Sequence, residues 1–339
     1  MKTKLYLLLA LLSLTFYYSQ TVKFISANTG EPLNNVLVMN AAGDILAKSD
    51  IEGQVEKEKL MPLQERYDLF YDGYLIATVK PSELESESIK LNDRERTIEP
   101  VVIKNAQENK YIYVRGHFNV YVVLNQKLNV YADGIATYVF DMESQKLKSG
   151  QVEQYRAYQK EQTEKQDRKK LGTAVFDSFL ALPDISIVGK FKESKGLAES
   201  YTEKESNGQT KMQISIVMPD NIEGGLFGYR LSKLRTQNVV SYAQNSKNLR
   251  DFQEFFQTFS INLKHKSEPN YNQIATYSTF IPTEISFAPK NNVSNRKIKP
   301  DQSSYTFDYW KANGFPNMLG AFHIYFKESL KEKPNAAKK

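Results

Sequence analysis

Short apolar runs, each closed by turn residues, fill the region from Thr21 to Asn105, and this spacing limits the folds open to the chain. Brief strands separated by turn signals predict a small antiparallel β-sandwich rather than a helical or βαβ domain. The expected later strands are Tyr67–Tyr71, Tyr74–Val79, Ile89–Leu91 and Val101–Ile103. The turn residues that close the first runs are Gly30 and Pro32, Gly43 and Asp44, and Asp50 and Gly53.

Several motifs of this region occur in a specific order. They are Thr29–Leu33 (Thr-Gly-Glu-Pro-Leu), the strand Val36–Met39, the turn Ser49–Gly53, Asp72–Tyr74 and Glu99–Ile103. Together they resemble the carboxypeptidase regulatory-like domain, although the family has an aromatic residue after the glycine where this chain has Gln54–Glu56. The resemblance covers residues 21–105 only. It implies a transthyretin-like β-sandwich, common in envelope proteins of Bacteroidetes, that carries no catalytic residues, and a shared fold by itself implies no activity.

Residues 1–20 have the order of a secretory signal peptide. Lys2 and Lys4 precede the apolar segment Leu5–Leu14, which is too short to span a bilayer, and Ser19 offers a small residue for cleavage. We expect export to the periplasm, the outer membrane or the exterior; the alternative is a buried N-terminal helix. The chain has no cysteine, so disulfides, thiol catalysis and a lipoprotein anchor are excluded.

A second domain is expected over residues 111–331, after a polar linker at 106–110 and before a frayed basic tail at 332–339. Aromatic and β-branched residues predict strands at Tyr111–Leu124, Leu128–Tyr131 and Ile135–Phe140, with turns at Asn125-Gln126 and at Asp133-Gly134. The segment Gln151–Arg156 fits either a helix or a strand. The segment 161–170 is nearly all charged or amide, and its mixed signs argue against a nucleic-acid patch.

The remaining patterns add helices to this sheet. Apolar residues recur at helical spacing over 171–182 and over 249–263, where Asn245 or Ser246 is placed to cap. Asn207-Gly208 predicts a tight hairpin. Further strands are expected at Ile274–Phe280, Glu284–Phe287 and Ala321–Phe326. The predicted class is therefore a β-rich α+β protein, in which a sandwich precedes a curved antiparallel sheet with two or three helices.

Motifs that carry chemistry are scarce. The three histidines, His117, His265 and His323, show no metal-ligand spacing. Gly224–Gly228 lacks the strand-then-helix context of a nucleotide site and predicts a loop. The alternation of one strand favours one core face and one solvated face, and the alternative is a stacking platform for a sugar or peptide; the residues are Tyr111, Tyr113, Arg115, Phe118 and Tyr121.

These patterns favour a non-catalytic envelope protein with a binding or scaffolding role, whose partner is an envelope protein, a peptide or a glycan. One alternative is a periplasmic hydrolase of peptide or glycan that uses His117 and dispersed carboxylates. Another is a protein associated with an outer-membrane β-barrel. The formal charge of +6 falls to +4 without Lys2 and Lys4, too little to indicate nucleic acid. No catalytic, cofactor or metal residue is assigned.

Overall fold

The structure is a computed structural model that describes eleven stretches of the chain. They are residues 21–93, 101–104, 109–160, 179–189, 198–206, 208–219, 222–226, 228–243, 246–312, 314–316 and 321–338. The predicted signal peptide, the charged segment 161–170 and most of the predicted helix 171–182 lie outside these stretches. The described residues fall into two compact units. The first comprises residues 21–41, 46–71 and 75–93, and the second the remainder.

The first unit contains two small sheets of short strands. The strands are β1 (Thr21–Ser26), β2 (Leu37–Asn40), β3 (Ile45–Lys48), β4 (Gln54–Glu56), β5 (Tyr67–Tyr71), β6 (Tyr74–Val79) and β7 (Ser88–Leu91). One sheet has the order β4-β1-β7 and the other β3-β2-β5-β6. The alternation of β1 buries Val22 and Phe24 in the core of this unit. The strands predicted at Tyr67–Tyr71, Tyr74–Val79 and Ile89–Leu91 are confirmed.

The turn at Asp50 shows how turn residues of this region act through local hydrogen bonds and backbone conformation. The Asp50 carboxylate accepts hydrogen bonds from the backbone N–H groups of Glu52 and Gln54, at 2.9 and 2.8 Å. Gly53 takes a φ of +72°, where a side chain would be strained. This turn starts β4 in register with β1, so that Val55 lies opposite Val22 and both are buried.

The second unit is built on one sheet of eleven long and short strands among the described residues. The strands are β8 (Val102–Lys104), β9 (Tyr111–Leu124), β10 (Lys127–Asp141), β11 (Leu147–Lys160), β12 (Ala198–Ser206), β13 (Gln209–Val217), β14 (Gly224–Leu226), β15 (Tyr229–Ala243), β16 (Phe252–His265), β17 (Asn272–Ala288) and β18 (Leu330–Glu332). The main order is β12-β13-β15-β16-β17-β9-β10-β11-β18, while β14 pairs with β15 and β8 with β17. The ambiguous segment Gln151–Arg156 is strand. Strands β12 and β13, on either side of the hairpin predicted at Asn207-Gly208, pair antiparallel, while Asn207 itself lies outside the described residues.

One face of this sheet carries the apolar core. Phe118 and Val120 of β9, Phe280 of β17 and Tyr155 of β11 are almost completely buried there. The segment 179–189 packs against the same core through Leu180, Ile185 and Val188. In the described part of the chain, no helix is long and apolar enough to cross a membrane. The helical segments among the described residues are the π-helix Phe322–Phe326 and several short 3-10 turns.

The helix predicted over 249–263 is wrong. Residues Leu249–Asp251 form a single 3-10 turn, and strand β16 begins at Phe252. Ser241 pairs with Glu254 while the next residue, Tyr242, pairs with Phe252, so Gln253 is the extra residue of a β-bulge. The bulge places two phenylalanines three positions apart on one face, and this spacing imitates a helix.

The turn predicted at Asp133-Gly134 is also wrong, because both residues lie in the middle of β10. Gly134 lies opposite Phe118 of β9 and Tyr155 of β11. An added Cβ would collide with the Gln154 carbonyl oxygen and with the Phe118 ring. The glycine therefore permits close packing inside a strand rather than a turn.

Two further segments, Gly224–Gly228 and Val101–Ile103, pair with strands that the sequence did not predict for them. Gly224–Leu226 is a strand, and a turn containing Gly228 at φ +84° pairs it with β15. It is thus a hairpin and not a loop. Val101–Ile103 was expected to close the sandwich, but β8 pairs in parallel with Glu284–Ser286 of β17.

The C-terminal predictions are corrected as well. The segment expected as a strand at Ala321–Phe326 is a π-helix over Phe322–Phe326, since its aromatic residues four apart share one helical face. The tail expected to fray is hydrogen-bonded. The Lys333 N–H donates to the Ala157 carbonyl at 2.8 Å, and the Ala336 N–H to the Ser303 carbonyl at 2.9 Å.

Candidate functional site

Polar and aromatic side chains line up on the sheet face opposite the apolar core, here called the polar face. Strand pairing aligns Tyr121 of β9 with Tyr131 of β10 and Tyr158 of β11. Their ring centroids are 4.9 Å apart for the first pair and 5.9 Å for the second. The next row along the strands aligns Asn119 with Asp133 and Arg156.

Asp133 is the centre of a buried hydrogen-bond cluster. Its side chain has no exposed surface, and the Arg156 side chain is 13% exposed. The guanidinium donates from Nε to Oδ1 at 3.0 Å and from Nη2 to Oδ2 at 2.6 Å. The Tyr131 hydroxyl donates to Oδ2 at 2.9 Å, and the Tyr309 hydroxyl to Oδ1 at 2.8 Å. The four acceptor positions of the carboxylate are therefore filled.

Aromatic rings cover the Arg156 side of this pair. The guanidinium carbon lies 4.0 Å from the centroid of the Trp310 ring and 5.5 Å from that of Tyr158. Trp310 also meets Tyr309 and Tyr305 edge to face, with centroids 5.1 and 5.0 Å apart. We call Asp133, Arg156, Tyr131, Tyr309 and Trp310 the Asp133 cluster. It attaches residues 305–312 to strands β10 and β11.

The surroundings of the cluster raise the pKa of Arg156 and of its two tyrosines. Burial opposes the charge on Arg156, but the neighbouring Asp133 carboxylate outweighs it and raises the pKa of the guanidinium. Burial and then the same carboxylate raise the pKa of Tyr131 and of Tyr309 well above their usual values. Both tyrosines therefore remain protonated donors, as the Asp133 carboxylate requires.

A second arginine–carboxylate pair occupies the same face nearer the start of β9. Arg115 donates from Nε and Nη2 to the Glu153 carboxylate at 2.9 to 3.0 Å, and the Thr137 hydroxyl donates to Oε1 at 2.5 Å. A β-bulge in β11 leaves Glu153 between the pairs Ile135–Gln154 and Ala136–Val152. The bulge turns the carboxylate toward Arg115.

His117 and Asn119 lie on the polar face between these two pairs. The His117 ring contacts Phe315 with centroids 5.0 Å apart. Burial, and secondarily the charge of Arg115, lower the pKa of His117 to about 4, so the ring is neutral at pH 7. The Asn119 amide donates to the Pro316 carbonyl, whereas its buried Oδ1 finds no hydrogen-bond partner among the residues that the structure describes.

The five residues of the alternative stacking platform separate in the structure. Tyr111, Tyr113, Arg115 and Tyr121 alternate onto the polar face, but Phe118 points into the apolar core, as the favoured pattern of two different faces predicts. Phe118 is therefore not part of a platform with the other four. The Tyr113 hydroxyl donates to the Lys290 carbonyl at 2.8 Å, and Tyr121 packs on Tyr131.

The other two histidines lie elsewhere. His265 ends β16, and its ring meets Tyr229 edge to face at 4.9 Å. His323 is exposed in the π-helix, not in a strand. Among the described residues, no three His, Asp or Glu side chains converge as a metal site would require.

Sequence reasoning missed the Asp133 cluster. Asp133 looked like a turn residue, and Arg156 lay in an ambiguous segment. One signal was present: Trp310 is the only tryptophan in the chain, and it stands in a run of aromatic residues that also holds Tyr305 and Tyr309. That run predicts a buried or binding segment, but not which strands it covers.

Comparison with known proteins adds no relatives. A scan against protein-family models matched no family. A search of the curated proteins found no match either. The geometry of the polar face is consequently the main guide to function.

Proposed function

We propose that the protein is a non-catalytic protein of the cell envelope with a binding or scaffolding role. The observation that carries this proposal is the state of the carboxylates beside His117. Asp133 and Glu153 are each held by an arginine fork and by hydroxyl donors. A hydrolytic site needs a carboxylate or imidazole with a free position toward the substrate.

His117 gives no support to the hydrolase alternative. Its ring is neutral and desolvated, and its closest charged influence is the cation of Arg115. A general base of this kind is normally oriented by a carboxylate partner. In the described residues, the only ring contact of His117 is with Phe315.

The proposal extends to the first unit. We interpret it as a transthyretin-like sandwich of the regulatory-like class, exported by the segment 1–20. Two sheets of three and four short strands support this interpretation, as does the Asp50 turn. Such a unit supplies a stable accessory module and leaves ligand recognition to exposed surfaces.

A turnover assay tests the proposal. The full-length exported chain and the variant His117→Gln are incubated with peptide and glycan libraries that report bond cleavage. We expect no cleavage above that of the variant, together with saturable binding to some members of the libraries. Cleavage that His117→Gln abolishes, while its unfolding midpoint stays near that of the parent, would overturn the proposal.

A further inference from the structure

One end of the large sheet carries four cations beside two carboxylates, Glu223 and Glu268. It is formed by the β14–β15 hairpin and by the connection between β16 and β17. We call this surface the basic end, and define it by Ile222, Arg230, Lys233, Lys264, Lys266 and Tyr271. Arg230, Lys233 and Lys266 are exposed, and Lys264 is half-buried.

Two of these cations face each other across neighbouring strands. Arg230 of β15 pairs directly with Lys264 of β16, an arrangement that destabilises an isolated sheet. The Lys264 ammonium donates to the Pro269 carbonyl at 3.1 Å and lies 5.4 Å from the Tyr271 ring centroid. In the described part of the chain, none of the four cations of the basic end forms an ion pair.

The backbone is also irregular here. A bulge between Ser232 and Arg235 places Lys233 at a φ of +52°. This left-handed conformation is unfavourable for a lysine, and such outliers often accompany functional surfaces. A bulge is a common means of redirecting a side chain at the end of a sheet.

Apolar and amphipathic residues stand beside the cations. Ile222 is 47% exposed in the connection that leads into β14. Tyr271 presents its ring to Lys264 and donates from its hydroxyl to Glu223 at 2.9 Å. A soluble anion needs cations alone, whereas a lipid surface rewards cations next to an exposed aliphatic residue and a tyrosine.

We propose that the basic end docks on a membrane surface rich in anionic phosphate headgroups. The cations contact the phosphates, and Ile222 enters the boundary with the acyl chains. Without Lys2 and Lys4 of the segment 1–20, the exported chain keeps a net charge of +4, which adds a small favourable field. This proposal is independent of the binding role proposed above, because it uses neither His117 nor the Asp133 cluster.

Vesicle cosedimentation of the full-length exported chain tests the proposal. The vesicles contain phosphatidylcholine alone or with an equal share of phosphatidylglycerol. The test variant combines Arg230→Gln, Lys233→Gln and Lys266→Gln. The matched control combines Lys146→Gln, Lys148→Gln and Lys290→Gln, which remove the same charge from exposed positions at the opposite end of the sheet. Circular dichroism confirms folding of each variant.

We expect binding to the anionic vesicles only, weakened by salt. The test variant should bind roughly a hundredfold more weakly, since each cation near an anionic surface contributes about fivefold. The control should lose much less, and Ile222→Ser should weaken binding further. Equal losses in test and control variants would overturn the proposal. So would equal affinity for soluble dextran sulfate with no effect of Ile222→Ser, which would indicate a general polyanion site.

Discussion

Two arginines on the polar face each hold a carboxylate in a fork, and the two pairs differ in how much water reaches them. Arg156 and Asp133 have exposed side-chain fractions of 13% and 0%, whereas Arg115 and Glu153 have 36% and 24%. Both arginines donate from Nε and Nη2, and the Nη2 distances are 2.6 Å in the first pair and 2.9 Å in the second. The energetic consequences differ, because the cost of leaving a charge unpaired depends on its access to water.

The buried pair therefore has a structural role that the exposed pair does not share. Breaking it leaves the buried Asp133 carboxyl without its partner, so the pair favours the arrangement in which residues 305–312 lie over β10 and β11. If the exposed pair is broken, water can reach both the Arg115 guanidinium and the Glu153 carboxylate. If this comparison is correct, matched substitutions at the two arginines will give very different losses of stability.

The largest effect is expected for Arg156→Ala. Removal of the guanidinium leaves a buried carboxylate without its counter-charge, which costs about 3–5 kcal/mol of unfolding free energy. The measurement is the urea midpoint at pH 7, followed by fluorescence of Trp310 and by circular dichroism. Arg156→Lys keeps the charge but loses the fork and the flat contact with Trp310, so its loss should be intermediate. A loss below about 1 kcal/mol for Arg156→Ala would place this pair in the exposed class.

The next largest effect is expected for Tyr309→Phe. This change removes a hydroxyl that donates to Oδ1 and to the backbone carbonyl of Asp133, at 2.8 and 3.0 Å. Hydrogen bonds to charged groups contribute about 1.5–3 kcal/mol. Tyr113→Phe is the matched control, because it removes an exposed hydroxyl that donates to the neutral Lys290 carbonyl. Equal losses of unfolding free energy for the two variants would mean that water reaches the Asp133 cluster as readily as it reaches the Tyr113 hydroxyl.

Sequence reasoning was accurate for the short strands at Tyr67–Tyr71, Tyr74–Val79 and Ile89–Leu91 of the first unit. Each strand of the first unit ends at turn residues that act locally, as Asp72-Gly73 does after Tyr67–Tyr71. The long strands of the second unit contain bulges, and a bulge changes the apolar spacing without any local signal. The bulge at Gln253 is the reason that β16 looked like a helix.

The Asp133 cluster was beyond sequence reasoning for the same physical cause. Asp133 and Arg156 become neighbours only through the register of β10 and β11, and two shifts interrupt that register. Trp310 reaches Arg156 from a segment far along the chain. By contrast, the placement of His117 in a strand followed from local alternation and is confirmed.

The pKa of His117 reports how far water is excluded from the polar face between the two arginine–carboxylate pairs. Its pKa is lowered from 6.5 to about 4 in the folded state, first by burial and then by Arg115. Between these values the unfolded chain binds more protons, so stability is full above about pH 6.5 and is lost as the pH falls toward 4. We expect the parent to lose ~2 kcal/mol more than His117→Leu between pH 7 and pH 5, measured by urea midpoints.

The exposed His323 provides the control for that measurement. His323→Leu removes an exposed imidazole in the π-helix and so controls for the loss of a histidine side chain as such. If His117→Leu keeps the pH dependence of the parent, then water reaches His117 and the polar face is hydrated as far as Asn119. The contrast between the two arginine pairs would then be smaller than their exposed fractions indicate.

The smallest effect is expected for Arg115→Ala. Glu153 keeps the hydrogen bond from Thr137 and gains water in place of the guanidinium. Exposed pairs contribute about 0.2–1 kcal/mol, and we expect a loss in this range. Added salt should reduce the difference from the parent, since the pair is open to screening. A loss above about 2 kcal/mol that persists in salt would show that Arg115 also positions its neighbour His117. In that case the two pairs would act as one network, and double substitution of Arg115 and Arg156 would cost less than the sum of the single changes.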